Sequence, residues 1–274
     1  MWTRHPIVAG SFYPSDPTRL RRDIEKYLGA AEAPPVKGSV VALISPHAGY
    51  VYSGPVAAYS FNQLSQVPFD VAIVLAPSHR ARFEGASVIP EGVYKTPLGD
   101  VAIDAQIGAR LMEQPRFSFQ RDAHSLEHSL EVQVPFLQVV REDFTLVPII
   151  VGTTRLDVCA EIANGIHAAL TGERRNFAIV ISTDLSHYFP YDEAVRTDTV
   201  FMDALRRFDE RALSDVLSQD KAQACGEGPV LTGMVLAKKL GATSVEIIKY
   251  MNSGDTAGGK DQVVGYLSAA FSAS

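Results

Sequence analysis

The chain has 274 residues, 46% hydrophobic and 20% charged, enough apolar material for a large core in a single α/β domain over residues 1–274. A formal net charge of -6, with no basic run beyond Arg19-Leu20-Arg21-Arg22, argues against a nucleic-acid binder that works through phosphate contacts. No apolar stretch approaches the roughly 18 residues of a membrane-spanning helix, no signal-peptide pattern opens the chain, and two cysteines make no disulfide framework. The expectation is a cytoplasmic protein with reduced thiols, bound to neither membrane nor nucleic acid.

Taken in order, Asp16 caps a helix with Pro17 in its first turn, Leu20, Ile24, Tyr27 and Leu28 on one face, and Gly29 as its stop. Val40–Ile44 is a short β-branched run that reads as a buried strand, and Pro46 ends it. His47 then falls on the loop just past the strand's carboxyl end, the edge where open α/β sheets bind ligands. After Gly54-Pro55, residues 56–64 read as a helix crossing to a second strand, Val71–Leu75, which is followed by Pro77-Ser78-His79. Strand, helix and strand over this length make a βαβ unit.

From Gly85 to Ile103 the pieces are short and turn-bounded, as in a smaller β segment, and Ala105–Gln114 reads as a helix. The polar stretch that follows holds His124-Ser125-Leu126-Glu127-His128, an H-x-x-E-H pattern. On a helix it would place both histidines on one face with the glutamate, as in certain zinc metalloproteases; a solvated helix start is the alternative. Phe144–Gly152 reads as a core strand whose Pro148 demands an edge or a bulge. Leu156–Leu170 is a helix, and Phe177–Ile181 a third buried strand, followed by Ser182-Thr183-Asp184-Leu185-Ser186-His187.

The last third holds helices at Asp192–Phe208, Arg211–Ser218 and Val230–Leu240, then strands Val245–Tyr250 and Val263–Ala269 around a Gly-rich loop read as a flexible connection. Cys225 stands among small residues ahead of a helix N-terminus, where the dipole favours a thiolate. A lone histidine after a strand is ordinarily a packed or surface residue, but three in the same position of three similar units point to a shared site. His47, His79 and Cys225 make a His₂Cys metal set, with Asp184 as a fourth ligand or a supporting group. Imidazole suits iron, copper and zinc, and a thiolate adds a preference for the softer ions. The competing reading of Cys225 is a buried inert thiol, as expected of Cys159 inside its apolar helix. The chain has no GxGxxG, Walker loop or GxSxG elbow.

Ala9-Gly10-Ser11-Phe12-Tyr13-Pro14, Ser45-Pro46-His47-Ala48-Gly49-Tyr50, Pro77-Ser78-His79, Glu127-His128-Ser129-Leu130-Glu131, Ser182-Thr183-Asp184-Leu185-Ser186-His187 and Ala224-Cys225-Gly226 resemble, in order, the motifs of the Memo family. Its microbial members are called AmmeMemoRadiSam system protein B. The resemblance implies a fold similar to class III extradiol dioxygenases, α/β with a central, largely parallel sheet flanked by helices. It implies a metal site of His47, His79 and Cys225 for iron or copper, with zinc as a further option. It also implies catalytic positions at Asp184 and His187, the latter matching the dioxygenases' acid/base histidine, and a pocket lined by Glu127, His128 and Tyr50. Cys225 stands where those dioxygenases carry a carboxylate, which argues for a redox-related site that does not cleave rings. The alternatives are a non-haem iron dioxygenase-like enzyme on a small aromatic substrate, a phosphopeptide-binding module, and the H-x-x-E-H protease. Partners implied by the resemblance are radical-SAM and AMMECR-type proteins, with a small molecule or peptide at the pocket.

Overall fold

The computed structural model describes residues 2–32, 34–65 and 67–274. The chain runs β1 (Trp2–Arg4), α1 (Pro17–Ala30), β2 (Ser39–Ser45), α2 (Tyr50–Asn62), β3 (Val71–Pro77), β4 (Ala86–Val88), β5 (Gly92–Thr96), β6 (Gly99–Ala102), α3 (Ala105–Met112), β7 (Phe117–Ser118) and α4 (Arg121–Ser125). It continues through α5 (Val134–Val140), β8 (Thr145–Val151), α6 (Leu156–Leu170), β9 (Phe177–Ser182), β10 (Asp184–Phe189), α7 (Tyr191–Arg206), α8 (Glu210–Ser218), α9 (Glu227–Lys239), β11 (Ser244–Asn252), α10 (Ser253–Thr256) and β12 (Val263–Ala273). Among the described residues the main sheet has nine strands, in the order β10-β12-β2-β9-β3-β8-β4-β7, with β11 on β12. Its centre, β2-β9-β3-β8, is parallel throughout. β1, β5 and β6 form a separate small sheet. The α/β class and the largely parallel core are those the sequence predicts.

The strands read as continuous apolar runs because both faces of the sheet are covered. Alternation splits β3 between two cores: Val71, Ile73 and Leu75 pack with residues of α3, α6 and α9, and Ala72, Val74 and Ala76 with residues of α1, α2 and α5. No helix among the described residues is long and apolar enough to cross a membrane.

Several local expectations are revised. α2 starts at Tyr50 and runs through Gly54-Pro55, which the sequence places ahead of the helix. Gly54 is there because α1 packs flush: a Cβ would lie 2.8 Å from the Tyr27 ring. Pro148 lies in an interior strand, not at an edge; β4 pairs with β8 only from Ile149 onward, so Pro148 sits just beyond that ladder. Asp184–His187 belong to a strand and not to a loop: one residue after β9, the chain crosses to pair with β12. The Gly-rich loop carries the short helix α10, fixed by a reciprocal cap between Asn252 and Asp255.

Asp198 of α7 is fully buried and accepts hydrogen bonds from the Ser186 amide at 2.9 Å and the Tyr250 hydroxyl at 2.7 Å. Burial outweighs those bonds and raises its pKa from 3.8. Ionising it therefore costs stability as pH rises through the raised folded value, while the stability present below 3.8 is intact. Asp198→Asn is expected to match the wild type in acid and exceed it at neutral pH in urea denaturation. Equal stabilities at both pH values would contradict this.

Candidate metal centre

His47, His79 and Asp184 each stand two residues beyond a parallel strand end, at Ser45, Pro77 and Ser182. The register Ser45↔Ser182 and Leu75↔Ile181 sets the three strand ends side by side. The His47 and His79 rings lie 5.4 Å apart between centroids and nearly perpendicular, at 80°. His128 joins them from the segment before α5, stacked on His79 at 4.8 Å and 18°. One ring nitrogen from each of the three lies within 4.8 Å of the other two. Cys225 Sγ is 3.0 Å from His47 Nε2.

The cysteine reaches that position because the start of α9 presses against the strand ends. A Cβ on Gly226 would lie 2.4 Å from the Ser182 carbonyl oxygen, and one on Gly228 would lie 2.0 Å from that of Thr153. Two cavities of about 280 Å³ flank the sulfur. One is bounded by Leu185, His187, Leu217 and Glu227; the other by Pro77, Ser78, Thr153 and Arg155.

Each imidazole is held from behind. Glu127 accepts from His79 Nδ1 at 2.8 Å, from the His79 amide at 2.6 Å and from the Ser129 amide at 3.0 Å. His47 Nδ1 meets Ser182 Oγ at 2.8 Å, and His187 Nδ1 donates to the Leu185 carbonyl at 2.8 Å. The outer nitrogens of His47, His79 and His187 are thereby left for the site. Burial, reinforced by the other histidines, holds the His47 pKa well below the ordinary value. Burial also takes His128 down to about 4 and lowers His187. These rings are neutral near pH 7, the form that ligates metals. Burial opposes ionisation of Glu127, but the His79 hydrogen bonds prevail and bring it to about 2.

Comparison with known proteins places the chain in a family. The Memo-like protein family matches residues 4–270. A MEMO1 family protein of Sulfolobus acidocaldarius is 38% identical, over 98% of this chain and 99% of its own. One of Methanothermobacter thermautotrophicus is 36% identical, over 96% and 98%. The chain belongs to the Memo-like family. An uncharacterized protein of Escherichia coli K12, 16% identical, shares the fold with a TM-score of 0.55 over 85% of this chain and 100% of that one.

In this Memo-like protein the H-x-x-E-H reading fails. α4 stops at Ser125, and Leu126 leaves the helical region with φ -120 and ψ 18. The buried Arg4 causes the break by taking the carbonyls of His124 at 3.2 Å and Glu127 at 2.5 Å. His124 turns to Ser87 Oγ at 3.0 Å, while Glu127 bonds His79 and His128 joins the histidine cluster, so no helical face carries the protease set. At Cys225, burial and then the Asp184 carboxylate push the thiol above its ordinary value.

Asp184 serves the loop that carries His47. Its Oδ1 accepts the His47 amide at 2.7 Å, its own amide donates to Cys225 Sγ at 3.2 Å, and burial raises its pKa to about 7. Tyr50 lines a cavity with Phe12, Tyr13 and Tyr27; its hydroxyl donates to the Val132 carbonyl at 2.6 Å, and its ring packs against Tyr13 and Phe136. His187 sits where the β10–β12 ladder shifts register, beside Tyr188 at φ 64. Such a bulge re-aims neighbouring side chains.

Sequence reasoning missed Arg4, Gln133, Ser182 and Glu131 as supports. Glu131 is fully buried and accepts from Arg4 Nη1, the Ile7 and Val8 amides and the Tyr13 hydroxyl. The available signal was a glutamate directly ahead of the apolar run Val132–Val140.

Proposed function

We propose that the protein holds a redox-active transition metal, iron or copper, on His47, His79 and Cys225, and that its function is redox-related without ring cleavage. The carrying observation is the pair of perpendicular imidazoles, each fixed from behind, with a thiol 3.0 Å from the outer nitrogen of one. The donor set fits: two imidazoles and a sulfur suit iron, copper(I) or zinc. Cys225 is taken as the third donor for the 3.0 Å approach of its sulfur to His47 Nε2. His128, stacked on His79 at 18° with a ring nitrogen within 4.8 Å of those of His47 and His79, is the competing third donor.

A bound metal of this kind supplies one-electron redox chemistry. His47 and His79 would hold it through their outer nitrogens, Cys225 would bind as the thiolate after losing its proton, and His128 is stacked on His79 beside them. His187, neutral and on the cavity beside Cys225, is placed to accept a proton from a small molecule there. A thiolate is readily oxidised beside an oxygen-activating metal, which favours a site that does not cleave rings. Radical-SAM and AMMECR-type proteins are proposed partners on the family resemblance.

Elemental analysis of protein purified anaerobically without added metal is expected to find iron or copper. His47→Ala and Cys225→Ala should weaken its binding about tenfold or more, with His187→Ala and His128→Ala near wild type. Dioxygen uptake with a catechol panel should equal that of the metal-free protein. Uptake by the wild type that disappears in metal-replete His187→Ala would establish the dioxygenase alternative instead, and an apoprotein that takes up neither metal would remove the reading altogether.

A further inference from the structure

The Ser182 hydroxyl has one proton and three neighbours. It donates to the Ser129 carbonyl at 2.7 Å, a group that can only accept. Gln133 Nε2, which can only donate, reaches Ser182 Oγ at 2.8 Å and is held in place by the Pro46 carbonyl at 3.0 Å. The third neighbour is His47 Nδ1 at 2.8 Å. With the proton committed to Ser129 and one lone pair to Gln133, what remains on Ser182 is an acceptor. His47 must therefore carry its proton on Nδ1. Ser182, Ser129, Gln133 and His47 are all at most 2% exposed, so solvent does not stand in for any of these partners.

We propose that Ser182 is a positioning residue that fixes His47 as its Nδ1–H tautomer, its hydroxyl direction set by the Ser129 carbonyl and the Gln133 amide, so that the Nε2 lone pair is presented to the site. On the far side of the ring Nε2 faces Cys225 Sγ at 3.0 Å. One stretch, residues 127–133, thus orients both imidazoles, His79 directly through Glu127 and His47 through Ser182. The consequence for metal affinity rests on the proposed function; the tautomer does not.

The test is ¹⁵N–¹H spectroscopy of histidine-labelled, metal-free protein at neutral pH, with the His47 signals assigned from His47→Ala. The wild type should show a protonated Nδ1 and a bare Nε2. Ser182→Ala should shift His47 toward a mixture of tautomers, with the other histidine signals in place, and weaken iron or copper binding about tenfold or more. A bare Nδ1 in the wild type overturns the proposal, and this readout needs no variant to fold. An unchanged tautomer in folded Ser182→Ala overturns it too. A wild type that shows the Nδ1–H signature but takes up no metal upholds the positioning role and removes the metal reading.

Discussion

Glu131→Gln is expected to destabilise the protein by about 3–5 kcal/mol, the range for breaking a buried ion pair by removing one partner. Arg4 is 1% exposed and Glu131 fully buried, so the substitution leaves a cation without its counter-charge in a site closed to water. The glutamine also has one acceptor oxygen where the carboxylate has two. The present set of donors is Arg4 Nη1, the Ile7 and Val8 amides and the Tyr13 hydroxyl, and at least one of them loses its partner. The lost contacts are those that tie residues 4–13 to the segment carrying Glu127 and His128. Protease sensitivity should therefore rise first at the N-terminal segment. Replacing both partners with apolar residues, Arg4→Met with Glu131→Leu, should recover part of the loss, because neither charge then remains buried. The contrast is Lys95–Asp100, 36% and 55% exposed, where Asp100→Asn should cost under about 1 kcal/mol. Urea midpoints measure all three. A Glu131→Gln loss below about 1 kcal/mol would show that the carbonyls of His5, His124 and Glu127 suffice for Arg4.

Glu127→Gln is expected to weaken metal binding by roughly 10–100-fold, the usual cost of removing the partner behind a ligating histidine. The Glu127 carboxylate is 1% exposed and meets donors on both oxygens: His79 Nδ1 and the Ser129 amide on Oε1, and the His79 amide on Oε2. A glutamine turns one of those oxygens into an NH₂ that faces a donor. Either the His79 amide or the His79 ring is left without an acceptor. The first outcome loosens the loop after β3, and the second frees the ring to turn. The wild-type carboxylate also makes His79 a better donor, a gain that a neutral amide does not reproduce. Metal titration of the variant beside the wild type, with far-UV circular dichroism to confirm the fold, measures the effect. Unchanged affinity in a folded variant would remove Glu127 from the support of the site.

Much of this protein is legible in its sequence because short-range rules act on it. The β-branched runs at 40–44, 71–75 and 177–181 form strands flanked by helices on both faces, and Pro46 and Pro77 mark where two of them end. A run of this kind, too short for a helix, reads as a buried strand, so His47 and His79 fall at one sheet edge on sequence grounds alone. Spacing alone decided nothing for Glu127, His128 and Glu131. An H-x-x-E-H string predicts a helical face, yet Arg4, more than a hundred residues earlier, takes the carbonyls that would continue the helix. The same limit applies to Cys225, whose thiol is pushed above its ordinary value by burial and then by Asp184, which lies far from it in the chain. Ser182 and Gln133 read as an ordinary strand-end serine and a glutamine in an apolar run. Their role exists only because the tertiary structure leaves Ser182 one proton and three buried partners. The sequence by itself determined which residues reach the sheet edge, since that depends on local periodicity and breakers. Only the tertiary structure decided how their protons, charges and ring planes are set, because those depend on burial and on partners distant in the chain.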